Sequence, residues 1–300
     1  MLAATLPAHL RGVYEVMLAT YDEMPNYWRY ITGEPITTPA IGEKMVLMTG
    51  LATARRTADG GSFQFDEITT PYNKTFYTDI YGIGVEFTVK QLGTDQSGKL
   101  KKIAKEFAFS LNYARETLVA NIINNGTDAT NYATILAVAL FSASQPTVTG
   151  STWSNLSTAS ALDITALEQM ITDRKSHLTL KGQKWLKLGS VNLVTPAELE
   201  ITAKRLLQSD LQPGGPDNDK NVARQSINWT PGNPLLTDTN AYTMIPADSN
   251  RNPLFLLVGD DMNGNVEEDK DIRTGKKLMV ASMDETTGAL YPAGLQYNSG

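Results

Sequence analysis

Apolar residues recur every three or four positions over residues 98–125, which is the clearest periodic pattern in the chain. They begin at Leu100 and end at Ile122, and Gly126 follows as a stop signal. This spacing places them on one stripe and predicts a single amphipathic helix about 40 Å long. A helix of this length suits an elongated subunit better than a compact domain.

A β-rich pattern precedes this helix, over residues 42–92. Two runs rich in Val, Thr, Phe and Tyr are separated by the turn signal Asp59-Gly60-Gly61. The pattern predicts a long two-stranded hairpin whose tip carries Arg55, Arg56 and Asp59. Because an isolated hairpin is marginally stable in water, we expect it to lie against another surface.

Residues 1–35 read as an N-terminal arm. A short helical pattern is followed by "PNYWRYITGEPITTP", which contains prolines and aromatic side chains, Trp28 and Tyr30 among them. This composition favours an extended segment that lies on another protein surface. Two interpretations are open. The arm packs on a neighbouring subunit, or it forms a first helix that packs on its own core.

The second half of the chain predicts a mixed α/β domain, with a boundary near residues 130–155. One helix is predicted over residues 161–180, with Ser160 and Asp163 as its start signal, and a second begins after Thr195 as N-cap. The loop "LQPGGPDNDKN" is polar and mobile by composition. The predicted strands are "VNLVT", "YTMIP", "PLFLLV" and "KKLMVASM".

Composition narrows the possible chemistry. The net charge is −6, so a nucleic-acid-binding surface over the whole protein is not expected, and the absence of Cys excludes thiol catalysis, disulfides and zinc thiolate sites. Only His9 and His177 offer an imidazole base. The longest apolar run, residues 135–141, is too short to span a membrane, and the N-terminus lacks a secretory signal.

One motif suggests a nucleotide site. The string "GTDQSGKL" (93–100) matches the phosphate-binding loop of nucleotide hydrolases, but Leu100 stands where Ser or Thr must ligate Mg²⁺. The preceding strand alternates apolar and polar residues, whereas the central parallel strand of such proteins is apolar throughout. We therefore expect no nucleotide hydrolysis.

Two acidic segments resemble calcium-binding loops in part. The segment around Asp217 and Asp219 lacks the Gly and the Glu that an EF-hand requires at its sixth and twelfth positions. The segment around Asp261 lacks the ligand required at the first position and the Glu at the twelfth. We interpret them, and the run Glu267-Glu268-Asp269, as solvated faces. No metal, cofactor or catalytic site is expected.

The first turns of the predicted long helix are crowded with lysines. Lys99, Lys101, Lys102 and Lys105 oppose the helix dipole there and should face acidic groups. DNA is a possible partner, but the net negative charge favours a protein partner.

The order of these elements resembles the major capsid proteins of tailed bacteriophages, which have the Hong Kong 97-type α+β fold. The closer resemblance is to the Mu-like major head subunit family. The resemblance lies in three sequence segments, "LFSASQPT" (140–147), "LVTPAELEITAKRLLQS" (193–209) and "NPLLTDTNAYTMI" (233–245). The resemblance implies an N-terminal arm (1–40), an E-loop hairpin and return strand (41–92), a P-domain spine helix (93–130), an A-domain (131–275) and a C-terminal strand or tail that returns towards the P-domain (276–300).

The resemblance also implies the function. The chain would be a structural protein, not an enzyme, that self-assembles into pentamers and hexamers of an icosahedral head enclosing double-stranded DNA, with assembly in the host cytoplasm and residence in the virion. Scaffold, protease and portal would be separate proteins, a decoration protein is possible, DNA contact would be non-specific, and no membrane is involved. The expected intersubunit contacts are Arg55, Arg56, Asp59, Trp28, Tyr30, Lys99, Lys101, Lys102, Asp217 and Asp219.

Some relatives cross-link the E-loop covalently from a Lys to an Asn, but residues 45–73 contain no Lys, so no such bond is expected. Two other functions are open. An encapsulin-like compartment uses the same fold around protein cargo, and a soluble oligomeric enzyme with an inserted hairpin would show a concave site with titratable groups.

Overall fold

The computed structural model describes residues 8–59, 61–63, 65–88, 98–130, 132, 134–186, 188–211, 220–259, 265–271 and 273–300. The helices are α1 (Ala8–Glu23), α2 (Trp28–Thr32), α3 (Lys99–Asn124), α4 (Ile164–Arg174) and α5 (Glu200–Gln208). The strands are β1 (Ile36–Thr37), β2 (Gly42–Leu47), β3 (Tyr72–Tyr77), β4 (Asp79–Phe87), β5 (Gln145–Pro146), β6 (Thr152–Trp153), β7 (Val191–Val194), β8 (Ile227–Trp229), β9 (Tyr242–Pro246), β10 (Leu254–Val258), β11 (Asn265–Lys270), β12 (Lys277–Ala289) and β13 (Gln296–Asn298).

The predicted long helix is confirmed as α3, which has 26 residues. Its N-cap is Gly98 in the left-handed conformation. Gly126 follows the helix because the Phe141 ring packs against the backbone there. A Cβ at position 126 would lie 2.5 Å from that ring, so a larger residue would displace it.

The N-terminal residues pack on the chain's own core. Val13 and Met17 of α1 are buried against Phe107 and Leu111 of α3, together with the central sheet. In α2, Trp28 and Ile31 are buried in a second cluster around the C-terminal half of α3. The second of our two interpretations therefore describes residues 8–32, since apolar burial against α3 keeps them helical.

The hairpin is confirmed, but its paired strands are shorter than predicted. β2 and β3 pair antiparallel from Gly42 opposite Tyr77 to Leu47 opposite Tyr72. Beyond this ladder the described residues of 48–71 form no strand, although the Thr49 N–H still donates to the Thr69 carbonyl at 3.0 Å. Pro71 ends the pairing of β3, because it lacks the N–H that a ladder needs.

β12 is the centre of a five-stranded sheet that covers α3. On one side it pairs with β4, and on the other it pairs with β11 along its first half and with β10 along its last residues, while β1 adds parallel to β10. The side chains of Met279, Ala281 and Met283 alternate towards α3 and are buried. β4 therefore connects the hairpin directly to the spine helix and its sheet.

A second sheet, in the order β13-β9-β7-β8, forms the α/β domain with α4 and α5. The helix that we predicted over 161–180 is shorter, and Asp163 alone caps it by accepting a hydrogen bond from the Ala166 N–H at 2.6 Å. The capping role predicted for Thr195 is wrong. Its Oγ1 is buried without a hydrogen-bond partner in the described part of the chain, and a 3₁₀ turn (Ala197–Leu199) precedes α5.

Two features differ from the predicted division of the chain. The acidic run Glu267-Glu268-Asp269 belongs to β11, an edge strand, and Glu268 forms an ion pair with Lys277. The boundary that we predicted at 275/276 lies inside the β11–β12 hairpin, and β13 joins the sheet of the α/β domain. A division based on the sheets would keep β11 and β12 together.

Candidate intersubunit surfaces

The segment between β2 and β3, residues 48–71, is called the hairpin loop below. A turn at Ala58 closes its tip, where the Gly61 N–H donates to the Ala58 carbonyl at 2.9 Å. Two contacts hold its sides to the rest of the chain. Lys181 Nζ lies 3.1 Å from Asp66 Oδ1, and Gln183 Nε2 donates to Thr53 Oγ1 at 2.7 Å.

The hairpin loop carries more apolar surface than a monomer can hide. Phe63 and Phe65 are 78% and 93% exposed. Exposed apolar side chains that lie close together mark interaction sites, because each would be stabilised by removal from water. Further exposed apolar residues of the same segment are Met48, Leu51 and Ile68.

The predicted contact residues fall into three groups. Arg55, Arg56 and Asp59 are exposed on the hairpin loop, as a contact with a neighbour requires. Tyr30 is also exposed, whereas Trp28 is only 2% exposed within its own chain and is not retained as a contact residue. Asp217 and Asp219 lie outside the described residues.

The lysines of α3 share an exposed face with aromatic side chains. Lys99, Lys101 and Lys102 are exposed in the first helical turn. Two turns further along, Phe109 and Tyr113 are exposed and their rings stack with centroids 6.3 Å apart. This face offers both charge and apolar area to a partner.

A buried charge cluster joins the N-terminal helices to α3 and β12. Arg115 Nε donates to Glu285 Oε1 at 2.7 Å, and these side chains are 2% and 0% exposed. The guanidinium also lies over the rings of Tyr21 and Trp28, 5.6 and 5.7 Å from their centroids. Burial raises the pKa of the Glu285 carboxyl, against the opposing influence of Arg115.

The neighbouring Glu116 caps α2 from a distance in sequence. Its Oε2 accepts a hydrogen bond from the Trp28 N–H at 3.0 Å, while its Oε1 is buried without a partner among the described residues. Burial raises the pKa of Glu116 to about 7, although hydrogen bonds from the Tyr27 and Trp28 backbone oppose the shift. Sequence analysis missed this cluster. Its signal in the sequence is the group of polar residues Asn112, Arg115 and Glu116 in the middle of α3, all of which the structure buries.

A groove lies at the base of the hairpin, and we call it the hairpin-base groove. It has a volume of about 650 Å³ and is enclosed by β3, the start of β4, the C-terminal half of α3 and the end of β12. Leu118, Ile122 and Leu140 supply apolar surface, and Lys74 and Asp79 supply charge.

The one histidine whose side chain is described, His177, lies in the core of the chain. His177 is fully buried, where the Gly294 N–H donates to its Nδ1 at 3.0 Å and Nε2 contacts Gln296 Oε1 at 2.8 Å. Burial lowers the pKa of His177 to about 4, so its ring is a neutral structural group. Among the described residues no cluster of His, Asp and Glu could hold a metal, and no helix is long and apolar enough to cross a membrane.

The structure is similar to solved chains from several protein shells. The chain is 12% identical to the capsid protein of cyanophage P-SCSP1u, with a TM-score of 0.55 over 88% of this chain and 84% of that one. A virus-like particle from Pyrococcus furiosus is 9% identical, with a TM-score of 0.54 over 97% and 100%. The SrpI encapsulin from Synechococcus elongatus PCC 7942 is 9% identical, with a TM-score of 0.52 over 88% and 84%. These likenesses confirm the predicted Hong Kong 97-type fold.

No curated protein has a sequence that matches this chain. The family model for phage capsid proteins matches residues 72–298, which extend from β3 through α3 to the last strand. The matched part includes the whole second sheet and every strand of the five-stranded sheet except β1, and it excludes the hairpin loop, β2 and the N-terminal helices. The chain therefore belongs to the phage capsid protein family, and it is a structural protein of the phage head, not an enzyme.

Proposed function

We propose that the chain is the major head subunit of a tailed phage, of the Mu-like type, and that it assembles through pentamers and hexamers into a closed icosahedral shell around double-stranded DNA. The observation that carries this proposal is the hairpin loop, since it exposes Phe63 and Phe65 to water in the single chain. Association with another subunit would bury that surface. Together with membership of the capsid family, this favours self-assembly as the chain's work.

The partners follow from this role. Scaffold, protease and portal functions would come from separate proteins, a decoration protein is a possible further partner, and DNA would be contacted without sequence preference. Assembly would take place in the host cytoplasm and the product would be the virion. The encapsulin likeness supports a second candidate, a compartment for protein cargo. The content of purified particles separates the two, since nuclease-protected DNA supports the head and a single enriched cargo protein supports the compartment.

Negative-stain microscopy of the purified protein tests the proposal. We expect rings, shells or tubes, and a protein that stays monomeric across concentration and salt would refute it. The Arg55→Glu/Arg56→Glu variant reverses the charge of the exposed hairpin loop and should block assembly. Its circular dichroism should match the wild type, and normal particles from this variant would show that the two arginines make no assembly contact.

A further inference from the structure

The two N-terminal helices lie on α3 and take part in neither sheet. Residues 8–32, which we call the N-terminal strap, contain α1 and α2. β1 follows the strap and pairs with the central sheet, with Ile36 opposite Leu257. The strap can therefore leave α3 without breaking a strand pairing, at the cost of the apolar contacts that Met17 and Trp28 make in the core.

One buried carboxyl group holds α2 to α3. Glu116 is 4% exposed, and its Oε2 accepts a hydrogen bond from the Trp28 N–H at 3.0 Å. α2 has no cap of its own, because the side chain of Tyr27 at the N-cap position makes no capping bond. The charged residue of α2, Arg29, is exposed and lies over the Trp28 ring, 5.2 Å from its centroid. Glu116 thus provides the acceptor at the start of α2.

The charges around Glu116 do not balance when it is ionised. Its neighbour Arg115 donates to Glu285 of β12, and Asp284 adds a further carboxylate beside Glu285. From α1, Tyr21 faces the same guanidinium, and its hydroxyl is buried without a partner among the described residues. One guanidinium therefore serves two buried carboxyl groups. An ionised Glu116 leaves a net negative charge away from water, which is costly.

We propose that the N-terminal strap is a pH-sensitive latch, which is closed while Glu116 carries a proton and opens when Glu116 is ionised. Glu116 Oε1 is buried without a hydrogen-bond partner in the described part of the chain, so a negative charge there has no donor until water reaches it. Opening of the strap admits water and removes this cost. It also uncovers the apolar face of α3 where Phe107 and Leu111 contact α1. The latch is a property of the single chain, so it stands or falls independently of the proposed function.

The pKa of Glu116 gives the direction and the size of the effect. Burial raises this pKa from 4.5 to about 7 in the closed strap, and in the open strap the carboxyl returns to its ordinary value. Closure is therefore fully favoured below pH 4.5, and this advantage is lost as the pH rises through 7. For these two pKa values, the equilibrium constant for opening rises roughly 70-fold between pH 5 and pH 8.

Hydrogen exchange of the full chain, followed by mass spectrometry, tests the latch. The exchange rate at each pH is divided by the intrinsic rate of an unfolded peptide, which gives a protection factor that reports opening. Protection of the strap should fall at least about tenfold from pH 5 to pH 8. At pH 8 it should be at least about 100-fold below that of β9, because the strap opens while the second sheet stays folded. Constant protection of the strap, or protection equal to that of β9, would overturn the inference.

Glu116→Gln separates the latch from a general effect of pH. The glutamine keeps an oxygen for the Trp28 N–H but cannot ionise, so protection of the strap should change less than about threefold from pH 5 to pH 8. Glu106→Gln removes an exposed carboxyl from the same helix and should behave as the wild type. His9→Gln should also behave as the wild type, and it is needed because histidine ordinarily titrates in this pH range.

The variants decide between these causes. A tenfold fall in protection that persists in Glu116→Gln, or that disappears in His9→Gln, would overturn the inference. If Glu116→Gln does not fold, the pH profile of His9→Gln decides alone, since its strap should still lose protection up to pH 7 and level off above it.

Discussion

Replacing Arg115 with Met should strongly destabilise the subunit. The change leaves Glu285 in a site that is fully buried, without the guanidinium that donates to its Oε1 at 2.7 Å. Removal of one partner from a buried ion pair costs about 3–5 kcal/mol, mostly because the remaining charge is uncompensated. The loss of the guanidinium over Tyr21 and Trp28 adds up to about 2 kcal/mol for each ring, because these contacts are buried away from water.

The size of this effect should depend on pH. Burial already raises the pKa of Glu285, and without Arg115 that pKa rises further. The variant's buried carboxyl then takes up a proton as the pH falls, which removes the uncompensated charge. We therefore expect the difference from the wild type to be larger at pH 8 than at pH 5.

The measurement is urea-induced unfolding followed by circular dichroism, in the Arg55→Glu/Arg56→Glu background so that assembly does not enter the free energy. The double variant Arg115→Met/Glu285→Met should recover most of the loss, because an apolar pair needs no compensation. Arg251→Met is the matched control, since its ion pair with Asp248 is exposed and should be worth less than about 1 kcal/mol. A loss below 1 kcal/mol for Arg115→Met, or a double variant no more stable than the single, would refute the reasoning.

Three further predictions concern the buried titratable groups and the hairpin. The pKa of Glu116 is raised to about 7, so its contribution to stability is present below pH 4.5 and is lost as the pH rises through 7. The free energy of unfolding in urea should therefore fall from pH 5 to pH 8 in the wild type and fall less in Glu116→Gln. The same pH dependence in both proteins would contradict this prediction. The pKa of His177 is lowered to about 4, so stability is full above pH 6.5 and falls by up to about 3 kcal/mol as the pH drops to 4. His177→Asn should be less stable at pH 7, but its free energy of unfolding should no longer fall as the pH drops to 4. An unchanged pH dependence would show that the imidazole does not cause it. Boiled particles should run as monomers near 32.7 kDa on denaturing gels, because residues 45–73 contain no Lys, and a ladder of covalent multimers would disprove this.

The elements that sequence predicted correctly are those whose pattern is decided by burial alone. α3 has one apolar stripe, and β9 and β10 are apolar except for Thr243 and are buried along their whole length. β11 was missed because an edge strand needs few apolar residues, and its acidic side chains look like a solvated turn. The end of the paired hairpin was also missed, since Thr, Phe and Ile beyond Leu47 and before Tyr72 have strand propensity but no described partner strand.

The site was only partly predictable for a related reason. The exposed arginines could be placed on the hairpin loop from the turn signal, because a tip is defined by local sequence. Trp28 could not be placed, because its burial depends on Glu116 and Arg115, which lie 88 and 87 residues further along the chain. Likewise, the hairpin-base groove depends on the register that sets Thr287 opposite Leu256.

These long-range contacts suggest why the N-terminal helices belong to the assembly unit even though the family match begins at β3. α1 and α2 cover both halves of α3, and the Arg115 cluster fixes them to β12 with charged groups that tolerate few alternative positions. β12 pairs with β4, and β4 continues from the hairpin through Thr78. The buried cluster, the central sheet and the hairpin are therefore linked by continuous contacts, so a hairpin loop that contacts a neighbouring subunit would set the orientation of the whole subunit and not of the hairpin alone.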